Sequence, residues 1–296
     1  MSTQTIPAPA TSAAAPRPRK KKSSPRSQTA RTVRFVLLVL FLLMVLLPAY
    51  VLFVTSFKPS AETSADRAWL LPQNWTTEGW KTAWDSLSPS LWRTFQLAIP
   101  AALISSAIGS INGFVLSRWR FPGADVLFTL FLFGMFIPYQ AVVIPLRQLT
   151  VWIGLPNGIP TLIFVHIIYG IPICTLIFRN YYASVPHELV EAAQVDGAGM
   201  FRTYASIILP LSGPGFVVTI IWQFTSAWND YLFAIFLSNT RNGPITIALN
   251  ALAGGQLTNY SASMAGAMIA SIPTLIVYIV LGRYFVGGLM AGSVKS

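Results

Sequence analysis

The stretch Glu191-Ala192-Ala193-Gln194-Val195-Asp196-Gly197, running on to Ile207-Ile208-Leu209-Pro210, is a polar island in an apolar chain, and its reading decides the fold. Just upstream, Val185-Pro186-His187-Glu188-Leu189 has the marks of a helix start. Proline at the first helical position forfeits no intrahelical bond, and acids in the first turn suit the helix dipole. Leu189, Ala192 and Ala193 then share one face at i, i+3 and i+4, flanked by Glu188 and Glu191 one turn apart. Gly197, Ala198 and Gly199 permit a sharp reversal. The pattern predicts a second short helical piece over 200–209, ended by Pro210. The expected product is a helix-turn-helix knob over residues 184–213. An amphipathic helix lying on lipid headgroups would carry Lys and Arg on its polar face; acids stand there instead.

Composition places this knob between membrane spans. Apolar residues make up 54% of the chain and charged residues 10%, against roughly 25% charged in a soluble domain. Runs long enough to cross a bilayer, about twenty apolar residues each, fall at 35–57, 94–116, 126–146, 159–178, 215–237 and 263–281. An all-α membrane protein follows, with six transmembrane helices over 35–286 and the knob between the fourth and fifth. The single cysteine, Cys174, lies inside the fourth run, so no disulfide framework or Cys/His metal spacing is available.

Residues 1–34 carry Arg17, Arg19, Lys20, Lys21, Lys22, Arg26, Arg31 and Arg34 among Pro, Ala, Ser and Thr. Such a composition buries no core, and a disordered basic tail is expected. Beside a first span, a basic run reads as an orientation signal or a contact with anionic lipid, not as a nucleic-acid site. The apolar run that follows exceeds a signal peptide's and lacks an Ala-x-Ala site, so the amino terminus is expected in the cytoplasm. Six spans then put the carboxyl terminus and the Glu191 knob there too. Residues 58–93 read as an external loop with Trp69, Trp75, Trp80, Trp84 and Trp92. These form either an interfacial aromatic belt or a surface for stacking sugar or docking a binding protein. Residues 238–262 read as a second external loop with one short helix.

Prolines recur inside the spans at Pro48, Pro100, Pro138, Pro145, Pro172 and Pro273, and small residues cluster at 105–110 and 261–271. Kinks and close helix contacts are expected there. Counting at about 1.5 Å per residue puts Asp230 roughly 23 Å above the inner start of the fifth span, in the outer third of a core about 30 Å thick. Gln140 in the third span and His166 in the fourth reach a similar level, with Tyr169, Trp228 and Asn229 close by. Two readings stand. Either these groups face an outward-opening polar cavity, or Asp230 snorkels to the interface and His166 is a satisfied core residue.

No Walker A loop occurs, and no paired carboxylates or Ser/His/Asp arrangement lies in the spans. A catalytic role is therefore not expected, and the chain needs no cofactor of its own. An ion-coupled secondary transporter is the competing class, since such carriers hold ionisable groups at the midplane. Only His166 and Asp230 are available for that, and the Glu191 knob has no part in it.

The pattern of Glu191, Ala192, Ala193, Gly197, Ile207, Leu209 and Pro210 resembles the cytoplasmic coupling loop of the membrane subunits of binding-protein-dependent ABC importers. Trp228-Asn229-Asp230-Tyr231, and the tail from Arg283 to Lys295 with Met290 where Thr is more usual, resemble the smaller permease subunit of maltose-type and glucose/mannose-type carbohydrate importers. The resemblance implies a type I importer bundle and ATP bound by a partner ATPase dimer. It also implies a second homologous permease, an extracytoplasmic sugar-binding protein and a sugar substrate. In that reading Glu188, Glu191, Ala192, Ala193, Asp196, Gly197, Leu209 and Pro210 meet the ATPase, and residues 287–296 form a cytoplasmic tail in the bacterial inner membrane complex.

Overall fold

The computed structural model describes residues 25–119, 121–254 and 259–291. The chain divides into two compact units, Met1–Ala49 and Tyr50–Ser296. What is described of the first is helical: α1, Pro25–Ser56, starts ahead of the apolar run, so residues 25–34, expected in the basic tail, already belong to a helix. Pro25 opens it, where a missing N–H costs nothing. The basic residues Arg17 to Lys22 lie outside the described residues, as do Arg120, 255–258 and 292–296.

The second unit contains α2 (Glu78–Arg118), α3 (Ala124–Met135), α4 (Tyr139–Trp152), α5 (Ile159–Ala183), α6 (Glu188–Val195) and α7 (Met200–Thr203). A π-helical turn, Tyr204–Ile208, leads into α8 (Leu209–Leu211), α9 (Gly213–Trp228), α10 (Leu232–Leu237), α11 (Ile245–Ala253) and α12 (Tyr260–Ala291). There is no strand among the described residues. Among the described residues, four helices are long and apolar enough to cross a membrane: α1, α2, α5 and α12. The number rises to six when two bent pairs each count as one span, α3 with α4 at 102° and residues 200–211 with α9 at 77°. The all-α, multi-span expectation holds.

Three expected boundaries move, each for a local reason. First, α2 begins at Glu78, so Trp80, Trp84 and Trp92 stand on a 41-residue helix and not in a loop. Pro89 lies inside it, because a long helix tolerates the loss of one backbone bond. Second, the third span breaks over 136–138, where Pro138 offers no N–H and bars Ile137 from the helical region. Third, the fifth span breaks over 229–231 before α10. At the far end, residues 287–291, expected in the tail, continue α12. The short helix expected within 238–262 is α11.

Helix α2 runs along α5 and also packs on α9, α11 and α12. The α2–α5 seam depends on two glycines four residues apart. A Cβ on Gly109 would lie 2.4 Å from Cys174 Cβ, and one on Gly113 would lie 2.6 Å from Phe178 Cβ. Small residues at that spacing let two backbones meet. Leu97, Ala101, Leu162, Val165, Phe224 and Trp228 form the main apolar core on one side of this seam. Phe114, Phe178, Tyr182, Val190 and Ile208 form another at the end that carries the Glu191 knob.

Candidate functional site

Two places gather the residues singled out by sequence. The first is the knob itself. In α6 the buried face is Val190 and Ala193, with Val190 in the cluster of Phe114, Phe178 and Tyr182. Of the face expected to meet the ATPase, Leu189 and Ala192 are exposed, whereas Ala193 turns inward and is buried, so it does not belong to that surface. Val190 supplies a larger apolar side chain than Ala192, so burying it turns the helix by about one residue. Glu188, Glu191, Ala192 and Asp196 therefore project outward together, beside two apolar side chains that sequence reading passed over, Val195 and Phe201, 88% and 74% exposed.

The knob is stiffened at its turn and its root. Gly197 has φ +77° and closes α6: its N–H donates to Gln194 O at 3.0 Å, and the N–H of Ala198 donates to Ala193 O at 2.9 Å. That pair of bonds is the Schellman arrangement, which needs a left-handed residue at this point. At the root, the Arg118 guanidinium donates to the carbonyls of Tyr182 and Val185, tying the end of α2 to the end of α5. The second arm differs from expectation. Pro210 does not end it but sits within α8, and the chain bends at Ser212 instead. Leu209 and Pro210 are exposed.

The second place is a cavity of about 530 Å³ between α4, α5 and the α9–α10 break, a size usual for small-molecule sites. His166 and Asp230 line it together, with His166 Nε2 3.3 Å from Asp230 Oδ2 and both side chains more than nine-tenths buried. Asp230 does not snorkel. Its Oδ1 accepts the N–H of Phe233 at 3.2 Å, and its Oδ2 accepts that of Ala234 at 3.1 Å, which caps α10 where α9 has stopped. His166 Nε2 is near the carboxylate but not aligned for a hydrogen bond, and no other protein atom takes it.

Tyr169 and Asn229 line the same cavity. Gln140 does not: it is exposed in the first turn of α4, and its neighbour Tyr139 is the lining residue. Trp228 does not either. It is buried in the core, with its indole N–H donating to Ala270 O at 2.9 Å. Sequence reading missed Phe233, whose ring meets those of Tyr139, His166 and Tyr169 at centroid distances of 5.6, 5.8 and 5.1 Å. It also missed Gln223, buried in α9, whose Nε2 donates to His166 O at 2.7 Å. A lone glutamine inside an apolar run was the signal that could have found it.

A model of the family described as "binding-protein-dependent transport system inner membrane component" matches residues 105–289, more than half of the chain. The chain belongs to that family. A probable ABC transporter permease protein of Pyrococcus horikoshii is 47% identical over 171 residues, 57% of this chain and 62% of that protein. The xylose/arabinose import permease protein XacI of Haloferax volcanii is 33% identical over 283 residues, covering 88% of this chain and 92% of that protein. The fold is similar to a crystal structure of a bacterial ABC transporter involved in the import of the acidic polysaccharide alginate, with TM-score 0.75 and 21% identity. That likeness covers 90% of this chain and 100% of the other. Membership makes the chain a multi-pass membrane component of an ABC importer, a transport system that includes an ATPase and a binding protein. The ion-coupled carrier class is not favoured.

Proposed function

We propose that this chain is the smaller of two homologous permease subunits in an ATP-driven sugar importer. The exposed surface of Glu188, Glu191, Ala192 and Asp196, held by the Gly197 turn, seats on one ATPase subunit of a dimer. The observation that carries this reading is the outward projection of acids and Ala192 from a helix whose other face is locked into the bundle. A rigid knob transmits force, whereas a loose loop absorbs it. The chain itself binds no ATP, and both termini and the knob lie on the cytoplasmic side.

The His166–Asp230 cavity is this subunit's part of the sugar path. Tyr139, Tyr169 and Phe233 offer apolar ring faces to sugar C–H surfaces, while Asp230 and Asn229 serve hydroxyls. Relatives that include xylose/arabinose, glucose and melibiose/raffinose/stachyose import permeases support a neutral sugar, delivered by an extracytoplasmic binding protein.

Purification of the native complex tests the reading. A second permease, an ATPase and a binding protein should accompany the chain, and Gly197→Trp should abolish ATP-driven uptake while membrane insertion survives. Uptake at the wild-type rate in Gly197→Trp contradicts the coupling role.

A further inference from the structure

Behind the knob, four hydroxyls meet where α2, α5 and the π turn converge. Ser110 Oγ on α2 lies 2.6 Å from the hydroxyl of Tyr182 on α5 and 2.9 Å from that of Tyr204 in the π turn. The Tyr182 hydroxyl also lies 2.7 Å from Ser212 Oγ, at the 77° bend that begins α9. Ser212 Oγ donates to the carbonyl of Ile208 at 2.6 Å. Ser110, Tyr182 and Ser212 are fully buried.

Each hydroxyl has one hydrogen, so these contacts fix the direction of every bond. The hydrogen of Ser212 is committed to Ile208 O, so Ser212 accepts from Tyr182. Tyr182 then accepts from Ser110, and Ser110 from Tyr204. The chain runs Tyr204 to Ser110 to Tyr182 to Ser212 to Ile208 O, starting and ending on the second arm of the knob and passing through both long helices on the way. Bonds aligned head to tail polarise one another, and a buried link is costly to leave open.

We infer that this hydroxyl chain is the coupling clamp of the subunit, making the knob, α2, α5 and the bend into α9 move as one body when the ATPase closes. Tyr182 is its positioning residue, the member of the four that lies on α5, beside a separate link in which the Tyr181 hydroxyl donates to Leu211 O at 2.6 Å. The inference rests on the coupling role proposed for the knob. It adds that force leaves the knob through specific hydroxyls as well as through apolar packing.

Tyr182→Phe keeps the ring stacked on Phe178, whose centroid is 5.5 Å away, and removes the central link. The test uses the complete complex in proteoliposomes with a Ser226→Cys reporter in the cavity. Maleimide labelling of that cysteine with and without Mg-ATP reads the ATP-driven movement, and phosphate release reads hydrolysis. Tyr182→Phe and Ser212→Ala each remove a hydroxyl that takes part in two buried hydrogen bonds, and each should weaken the ATP-dependent change in labelling at least about tenfold. ATPase recovery and basal hydrolysis should stay at the wild-type level, and the double variant should be no worse than Tyr182→Phe. Tyr204→Phe, which removes only the first donor from a half-buried site, should act in the same direction.

A full ATP-dependent change in both single variants would overturn the clamp, as would independent, multiplying effects in the double variant. Gly197→Trp in the same assay separates the two proposals. If it abolishes the change while Tyr182→Phe does not, the clamp alone falls. If the change survives Gly197→Trp, the coupling role of the knob falls with it.

Discussion

Asp230 Oδ2 lies 3.3 Å from His166 Nε2, and both of its carboxylate oxygens at the same time cap α10. The residue therefore does two things that substitution can separate. Asparagine keeps an acceptor for the helix start and loses the charge, whereas alanine loses both, at a cost of about 1 kcal/mol for the cap alone. Asp230→Asn should lower sugar uptake with little change in unfolding temperature, and Asp230→Ala should lower both. Equal uptake in Asp230→Asn and the wild type across a range of sugar concentrations would remove the carboxylate from the sugar path.

The α2–α5 seam makes a packing prediction. With 2.4 Å between a Cβ on Gly109 and Cys174 Cβ, alanine at 109 cannot fit without moving a backbone. Gly109→Ala should destabilise the purified complex by about 1–3 kcal/mol. Cys174→Gly should restore part of that loss. Thermal unfolding of the single and double variants measures both, and simple additivity would show that the two sites do not meet.

Gly197 is constrained by φ and not by space, since a Cβ there meets nothing within 4 Å. Residues that tolerate the left-handed region should therefore be the mildest replacements. Gly197→Asn should retain most uptake, while Gly197→Val should lose most of it, the strain being about 1–2 kcal/mol. The order is read from initial uptake rates at matched expression; a reversed order would point to a steric role instead.

Outside the spans, Lys58 is 1% exposed, and its ammonium donates to the carbonyls of Arg67 at 2.6 Å and Ala68 at 3.3 Å. Lys58→Met keeps the length of the side chain and leaves two carbonyls without that donor. A loss of about 1–3 kcal/mol is expected, measured as faster proteolysis of residues 57–77 in the intact complex. Unchanged proteolysis would mean that water replaces the ammonium.

Much of this was legible in the chain. Runs of about twenty apolar residues mark spans because a bilayer demands length, and Gly197 marks a turn because only a left-handed residue closes α6 there. The His166–Asp230 meeting was reachable by counting rise per residue from span ends. What escaped were features set by partners distant in sequence. Trp228 faces Ala270 and not the cavity because α12 offers a carbonyl to its indole. Counting gives a height but not a direction around the helix. Likewise, Ala193 turned inward with Val190, because Val190 packs on Phe114 and Tyr182, residues of other helices that no local pattern announces.

In the proposed function, ATP-driven closure of a partner moves sugar past this chain through the Glu191 knob. The most direct measurement is uptake of radiolabelled sugar into proteoliposomes holding the native complex, with ATP inside and binding protein outside. Ionophores that collapse proton and sodium gradients are present throughout. The account predicts undiminished uptake that stops when either ATP or binding protein is left out. Uptake that needs an ion gradient and continues without ATP would contradict it.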